Sequence, residues 1–311
     1  MHRYSHRMGK ILLAVLLLAV LAFGIWFYRL GGPAQLDLAD RWYWGKGDSA
    51  QPMVETDIAY GSGDDPRQRY DVYHPANADG MESDCEGRRY PTLIFFHGGS
   101  WRDGDKNSYA FVGRAFAEQG FYVVVADYRK SPQWRFPSFV EDAARVIADV
   151  HRNPGRCADP SRLYLIGHSA GAHIAMLATL DRKWLRAEGL DPSILAGVIG
   201  LAGPYDFYPF TSDAARIALG QWPKPNDTQP IQFARGDAPP LLLLTGDADT
   251  TVKPRNSERL MAKVESLRGV VVKKLYPGIG HSGIIMAISR PFRSLAPVVK
   301  DVVDFTQTGN I

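Results

Sequence analysis

The chain has 311 residues, 45% of them hydrophobic and 22% charged, with a formal net charge of +3. That balance is ordinary for a globular protein and excludes disordered, collagen-like and cysteine-dense scaffold classes. Residues 1–30 hold Arg3, Arg7, Lys10 and Arg29 and no acid, so the positive excess belongs to the N-terminus and no basic face for nucleic acid is left downstream.

Residues 11–28, ILLAVLLLAVLAFGIWFY, form an uncharged apolar run. As a helix it would span roughly 27 Å, near the thickness of a bilayer's hydrocarbon core. The basic flank predicts a cytoplasmic N-terminus with everything beyond the run exported. Two readings fit: an uncleaved signal anchor over 1–30, or a signal peptide cut after Gly32-Pro33-Ala34. The anchor is favoured, because the run is long for a signal-peptide core and Trp26, Tyr28 and Arg29 suit an interface. Its consequence is a single-pass protein of the inner membrane with a periplasmic body, and cleavage would make it secreted instead. Residues 31–51 read as a linker, and a globular domain as 52–311.

In that domain, IAYGSGDDPRQRYDVYHP (58–75) reads as a β-hairpin around a Gly/Asp/Pro turn. TLIFFHGG is a continuous apolar run ending in glycines, as expected of a strand buried on both faces. Helical spacing follows over 107–119 up to Gly120, then the strand FYVVVADY, then a helix marked by Phe139, Ala143, Val146 and Ile147. The strand RLYLIG (162–167) precedes a helix from 170 to about 181. The remaining elements are ILAGVIGL, PLLLLTG, a helix across 254–268, GVVVKKLYP and a final helix near 292–307. Buried strands alternating with helices predict a mostly parallel sheet covered on both faces. The Pro- and aromatic-rich stretch 204–239 fits neither element and is read as a small cap or a plain surface insertion.

LIGHSAGAH (165–173) sets Ser169 between Gly167 and Gly171, after a strand and before a helix. Such a tight turn tolerates only glycine at those two places and lifts the hydroxyl to the helix N-terminus. A serine needs a base, and only His173 and His281 follow it. His173 lies four residues on along the same helix and reads as a packed core histidine. His281, in the loop PGIGHSG after the last strand, is the expected base. The acid should come from LLLLTGDADTTV, where spacing leaves Asp247 and Asp249 open; Asp249 is preferred, with Asp247 holding turn amides. FFHGGSWRDGDK (95–106) reads as an oxyanion loop: Gly98 and Gly99 would donate backbone N–H groups together with Ala170. His97 would brace that loop, and Ser100 and Trp101 would border a substrate pocket, with Trp101 packed against the loop as the alternative.

The elbow, HGGSW, DYR (127–129), FP…EDA (136–143), GxxD (246–249) and GxGH (278–281) together resemble the α/β-hydrolase superfamily. The similarity is to its bacterial carboxylesterase branch, which includes hormone-sensitive-lipase-like, kynurenine-formamidase-like and isoprenylcysteine-methylesterase-like enzymes. It covers about residues 52–307 and implies an eight-stranded mostly parallel sheet and hydrolysis of small carboxylic esters by Ser169, Asp249 and His281. The GxxD pattern lands on Asp249. No metal or organic cofactor is implied. Ser100 stands where the hormone-sensitive-lipase group usually carries a third glycine, and this departs from a lipase-like subfamily. In such a sheet the third and fifth strands are adjacent and parallel; Cys85 and Cys157 precede their ends by similar lengths of chain, which implies a disulfide at the sheet's lower edge. The alternatives are C–N hydrolysis (amide, formamide or peptide) at the same triad, and a silent binding module of this fold.

Overall fold

The computed structural model describes residues 29–45, 52–61, 65–75, 85 and 87–308, together with a few positions of the apolar run (15–17, 20–22 and 24). The chain passes through α1 (Gly32–Trp44), β1 (Val54–Ala59), β2 (Arg69–Tyr73), β3 (Tyr90–Phe96), α2 (Ala110–Ala117), β4 (Tyr122–Ala126), α3 (Ser138–Arg152), β5 (Ala158–His168) and α4 (Ala170–Leu180). It continues through α5 (Lys183–Ala187), β6 (Leu195–Leu201), α6 (Asp213–Leu219), β7 (Leu241–Gly246), α7 (Arg255–Ser266), β8 (Val271–Tyr276), α8 (His281–Met286) and α9 (Val298–Thr308).

The eight strands form one sheet in the order β1-β2-β4-β3-β5-β6-β7-β8. β1 and β2 make the expected antiparallel hairpin, β2 meets β4 antiparallel, and every other pair is parallel. Alternation along the strands fills two cores. Ile94 and Phe96 of β3 and Val124 of β4 point to one side, where α3 and α4 pack. Leu93 and Phe95 of β3 and Val123 and Val125 of β4 point to the other, against α2 and α9. Strands buried on both faces have no polar side to display, and for that reason they read as continuous apolar runs. α3 places Phe139, Ala143, Val146, Ile147 and Val150 along one buried stripe at three- and four-residue spacing. α2 closes at Gly120, whose φ of +83° is accessible to glycine at little cost.

Two expectations are corrected. Residues 31–51 contain more than a linker, because Gly32–Trp44 is the docked helix α1. Its acids Asp37 and Asp40 are buried against Arg114 of α2, at 2.6 and 2.7 Å from Nη2. Asp40 also accepts the Arg290 amide at 2.9 Å, and the Arg290 guanidinium lies 3.4 Å from the centroid of the Trp44 ring. Second, the single C-terminal helix near 292–307 is a 3-10 segment, Arg290–Leu295, followed by α9. Pro297 separates them, since its ring lacks the N–H a continuing helix would use. The apolar run 11–28 falls largely outside the described residues, and among those described no helix is long and apolar enough to cross a membrane.

Cys85 and Cys157 form a disulfide with Cα atoms 5.6 Å apart. It lies below β3 and β5, where Tyr90 pairs with Ala158, at the end of the sheet opposite the loops described next.

Candidate active site

Four loops at the C-terminal ends of β3, β5, β7 and β8 meet above the sheet, the usual place for a site in parallel α/β folds. Ser169 joins β5 to α4 with φ +54° and ψ −117°, a strained conformation for a residue with a side chain. The strain is imposed by crowding: a Cβ on Gly171 would sit 1.9 Å from the Phe96 carbonyl oxygen, and one on Gly167 would sit 2.4 Å from the Gly171 backbone.

Across from this turn His281 begins α8. Its Nε2 lies 2.9 Å from Ser169 Oγ and its Nδ1 lies 2.8 Å from Asp249 Oδ2. A carboxylate oxygen can only accept, so Nδ1–H donates to Asp249 and leaves Nε2 as the acceptor for the serine hydroxyl. Asp249 is buried, and its Oδ1 accepts the amides of Thr251 and Val252 at 2.9 and 2.8 Å. Asp247 points elsewhere and accepts the Gly278 amide at 2.7 Å. Of the two loop acids, the fold brings only Asp249 to the histidine.

After β3 the chain turns sharply. Gly99 has φ +125°, Ser100 +54° and Trp101 +58°. The Gly99 carbonyl accepts the amides of Arg102 and Asp103, and a Cβ on Gly99 would meet Asp103 oxygen at 2.1 Å. Gly98 packs directly on the residue before Ser169, so loop and elbow are in contact. Ala170 opens α4 and carries one of the amides that a helix leaves without an internal acceptor.

A buried network supports this loop from below. His97 Nε2 lies 3.0 Å from Asp127 Oδ1, and Tyr128 Oη donates to the His97 carbonyl at 2.8 Å. The Lys106 amide also donates to Asp127, Lys130 Nζ donates to the Gly104 carbonyl, and Lys106 Nζ pairs with Asp57 and Asp71. Burial alone would raise the Asp127 carboxyl; His97 and Lys130 overcome it and hold the group below the usual range. The DYR motif (127–129) therefore carries the loop, a role that its three letters did not disclose.

Trp101 is 5% exposed, so it lies behind the surface while Ser100 stays exposed. The indole N–H donates to His173 Nδ1 at 3.1 Å, and His173 Nε2–H donates to the Thr228 carbonyl at 2.7 Å. Burial pushes the His173 pKa down to about 4. His173 is a packed tie between the loop, α4 and the segment 204–239. That segment contains α6 and two 3-10 turns. Gln229 Oε1 accepts the amides of Phe207 and Tyr208, and the Phe207 ring stacks on Trp101 at 5.8 Å.

The sequence reading assigned nothing to His168, which the fold sets beside His281 with ring centroids 5.0 Å apart. No local signal marks it, because the second position of a Gly-x-Ser-x-Gly turn accepts many residues.

The BD-FAE family model matches residues 71–264. The chain belongs to the BD-FAE family. The eight-stranded mostly parallel sheet fits the α/β-hydrolase fold that the resemblance implied. Isoprenylcysteine alpha-carbonyl methylesterase ICME of Arabidopsis thaliana is 29% identical over 256 residues, covering 75% of this chain and 58% of the relative. Esterase LipC of Mycobacterium tuberculosis is 29% identical over 280 residues, covering 78% and 66% respectively. This BD-FAE chain therefore spans little more than half the length of the first of these curated relatives. Among solved structures, esterase B from Lactobacillus rhamnosis is similar with a TM-score of 0.72 at 20% identity, over 89% of this chain and 93% of that one. The likeness is one of fold. The BD-FAE match ends before β8, so His281 enters the site through the fold and the loop alone.

Proposed function

We propose that this BD-FAE protein hydrolyses small-molecule carboxylic esters through an acyl-enzyme formed on Ser169. The observation that carries the reading is the hydrogen-bonded chain Asp249–His281–Ser169, at 2.8 and 2.9 Å, on a family background of esterases. His281 Nε2 takes the hydroxyl proton as Ser169 Oγ attacks the ester carbonyl carbon. Asp249 fixes the tautomer of His281 and stabilises the imidazolium. The amides of Gly98, Gly99 and Ala170 donate to the oxyanion of the tetrahedral intermediate. His281 then gives its proton to the departing alcohol; water, activated by the same ring, repeats the sequence on the acyl-enzyme. The scheme calls on no cofactor. Ser100, exposed at the loop, and the Phe207 face that covers Trp101 border the space for the substrate.

The test is a fluorophosphonate probe together with hydrolysis of p-nitrophenyl esters of increasing acyl length. Ser169 should be the labelled residue, and Ser169→Ala should remove both labelling and turnover. Native turnover in Ser169→Ala overturns the assignment.

We also propose that residues 11–28 anchor the chain in the inner membrane, with the catalytic body on the periplasmic side. Support comes from the length of the run, its basic flank, and a disulfide of the kind that persists in oxidising compartments. The full chain should stay with membranes through a high-salt wash; recovery in the soluble fraction, cleaved or intact, would reject the anchor.

A further inference from the structure

His168 touches both halves of the proposed machinery and has no part in the scheme above. It is buried, and its ring is wedged between two loops. On one side lies Gly98: a Cβ there would come within 2.8 Å of His168 Nδ1, so the ring lies flush against the oxyanion loop. On the other side lies His281, with ring planes inclined by 37°. His168 Nε2 is 3.3 Å from the His281 carbonyl oxygen. That oxygen can only accept, so Nε2 bears the proton and Nδ1 the lone pair, and Nδ1 has no hydrogen-bond partner among the described residues.

We propose that His168 is a positioning residue that holds the His281 imidazole in line between Ser169 and Asp249. The inference rests on the triad reading above. His281 has to keep one ring orientation through two proton transfers per acyl exchange, and displacements of about an ångström at such a point are costly to rate. Its side chain is held by Asp249 at Nδ1 and by the Ser169 hydroxyl at Nε2, and the second bond is broken and remade as the proton moves. The bond from His168 to the His281 backbone and the ring at its flank supply two further restraints that persist through the reaction. Burial, and then the neighbouring His281, push the His168 pKa down to about 3. The flanking ring thus stays neutral while His281 becomes positive, and a charged neighbour would oppose that step.

A residue that merely fills space predicts different behaviour, and two substitutions separate the roles. His168→Phe keeps a flat ring but no donor; His168→Gln keeps a donor near the Nε2 position without the ring. The Phe variant should lower kcat about tenfold or more, with KM within about twofold and an unchanged unfolding midpoint. The Gln variant should recover kcat to within about threefold of native. In a His281→Ala background, His168→Phe should have no further effect on the residual rate, because its action passes through His281. If Phe lowers the midpoint, His168→Met, which can adapt to the same space, takes its place. Native kcat in the donor-free variant, a loss confined to KM, no advantage of Gln, or an equal loss in the His281→Ala background each overturns the proposal. Ser169→Ala is measured alongside. If it stays active, the triad reading has failed; if it is inactive while the donor-free variant has native kcat, only the role of His168 has failed.

Discussion

At the residue scale, the proposed function turns on which of two neighbouring carboxylates reaches the histidine. Asp247 and Asp249 are two positions apart in one turn, and composition treats them alike. Asp249 is buried, accepts two backbone amides through one oxygen and meets His281 with the other. Asp247 is exposed and holds Gly278. Asp249→Asn should therefore lower kcat by about 10³–10⁴, since the amide can present the wrong hydrogen-bonding partner to Nδ1. Asp247→Asn keeps an acceptor for Gly278 and should stay within about threefold. Steady-state kinetics on one ester checks both; equal losses would mean that the loop as a whole, and not the Asp249 contact, matters. His173 shows the converse. Close to Ser169 in sequence, it is the packed core histidine its place on the helix implied, with its ring carried to Trp101 and Thr228.

At the element scale, α1 is the part of the structure that sequence reading passed over. Asp37 and Asp40 look like solvent-facing acids on a polar stretch, and their burial depends on Arg114, more than seventy residues away. Removing one partner of a buried ion group leaves the other charge without compensation. Arg114→Met should cost roughly 3–5 kcal/mol in denaturant unfolding, more than a surface substitution would. Replacing Asp37, Asp40 and Arg114 together by apolar residues of similar volume should recover most of that loss. If Arg114→Met costs nothing measurable, α1 contributes no stability through these pairs. The same helix begins four residues after the apolar run ends, so what happens to that run bears directly on a docked element.

At the scale of the whole molecule, pH acts through buried histidines. His168 and His173 are driven from 6.5 to about 3 and about 4, mainly by burial. Between about pH 4 and 6.5 the unfolded chain binds protons at these positions that the folded chain does not. Stability therefore rises with pH through that interval and falls on acidification. Asp127, held low in the fold by His97 and Lys130, adds a further loss as its carboxyl protonates. Calorimetry should find the unfolding midpoint several degrees lower at pH 4.5 than at pH 7. His173→Gln, which cannot titrate, should flatten part of that slope, and an unchanged slope would assign the acid sensitivity elsewhere.

The sequence by itself determined the strands, their burial on both faces, and the proposed nucleophile and base, because these depend on local pattern. Short apolar runs bounded by glycines read as interior strands, and a serine between two glycines at a strand-to-helix turn has few structural uses. Only tertiary structure brought Asp249, already preferred, to the histidine, and it alone decided the bracing of the Gly98–Gly99 loop by Asp127 and Tyr128, the docking of α1 and the place of His168. Each of those depends on a partner that is distant in the chain, and no local period or propensity records which buried donor a given carboxylate or imidazole will meet.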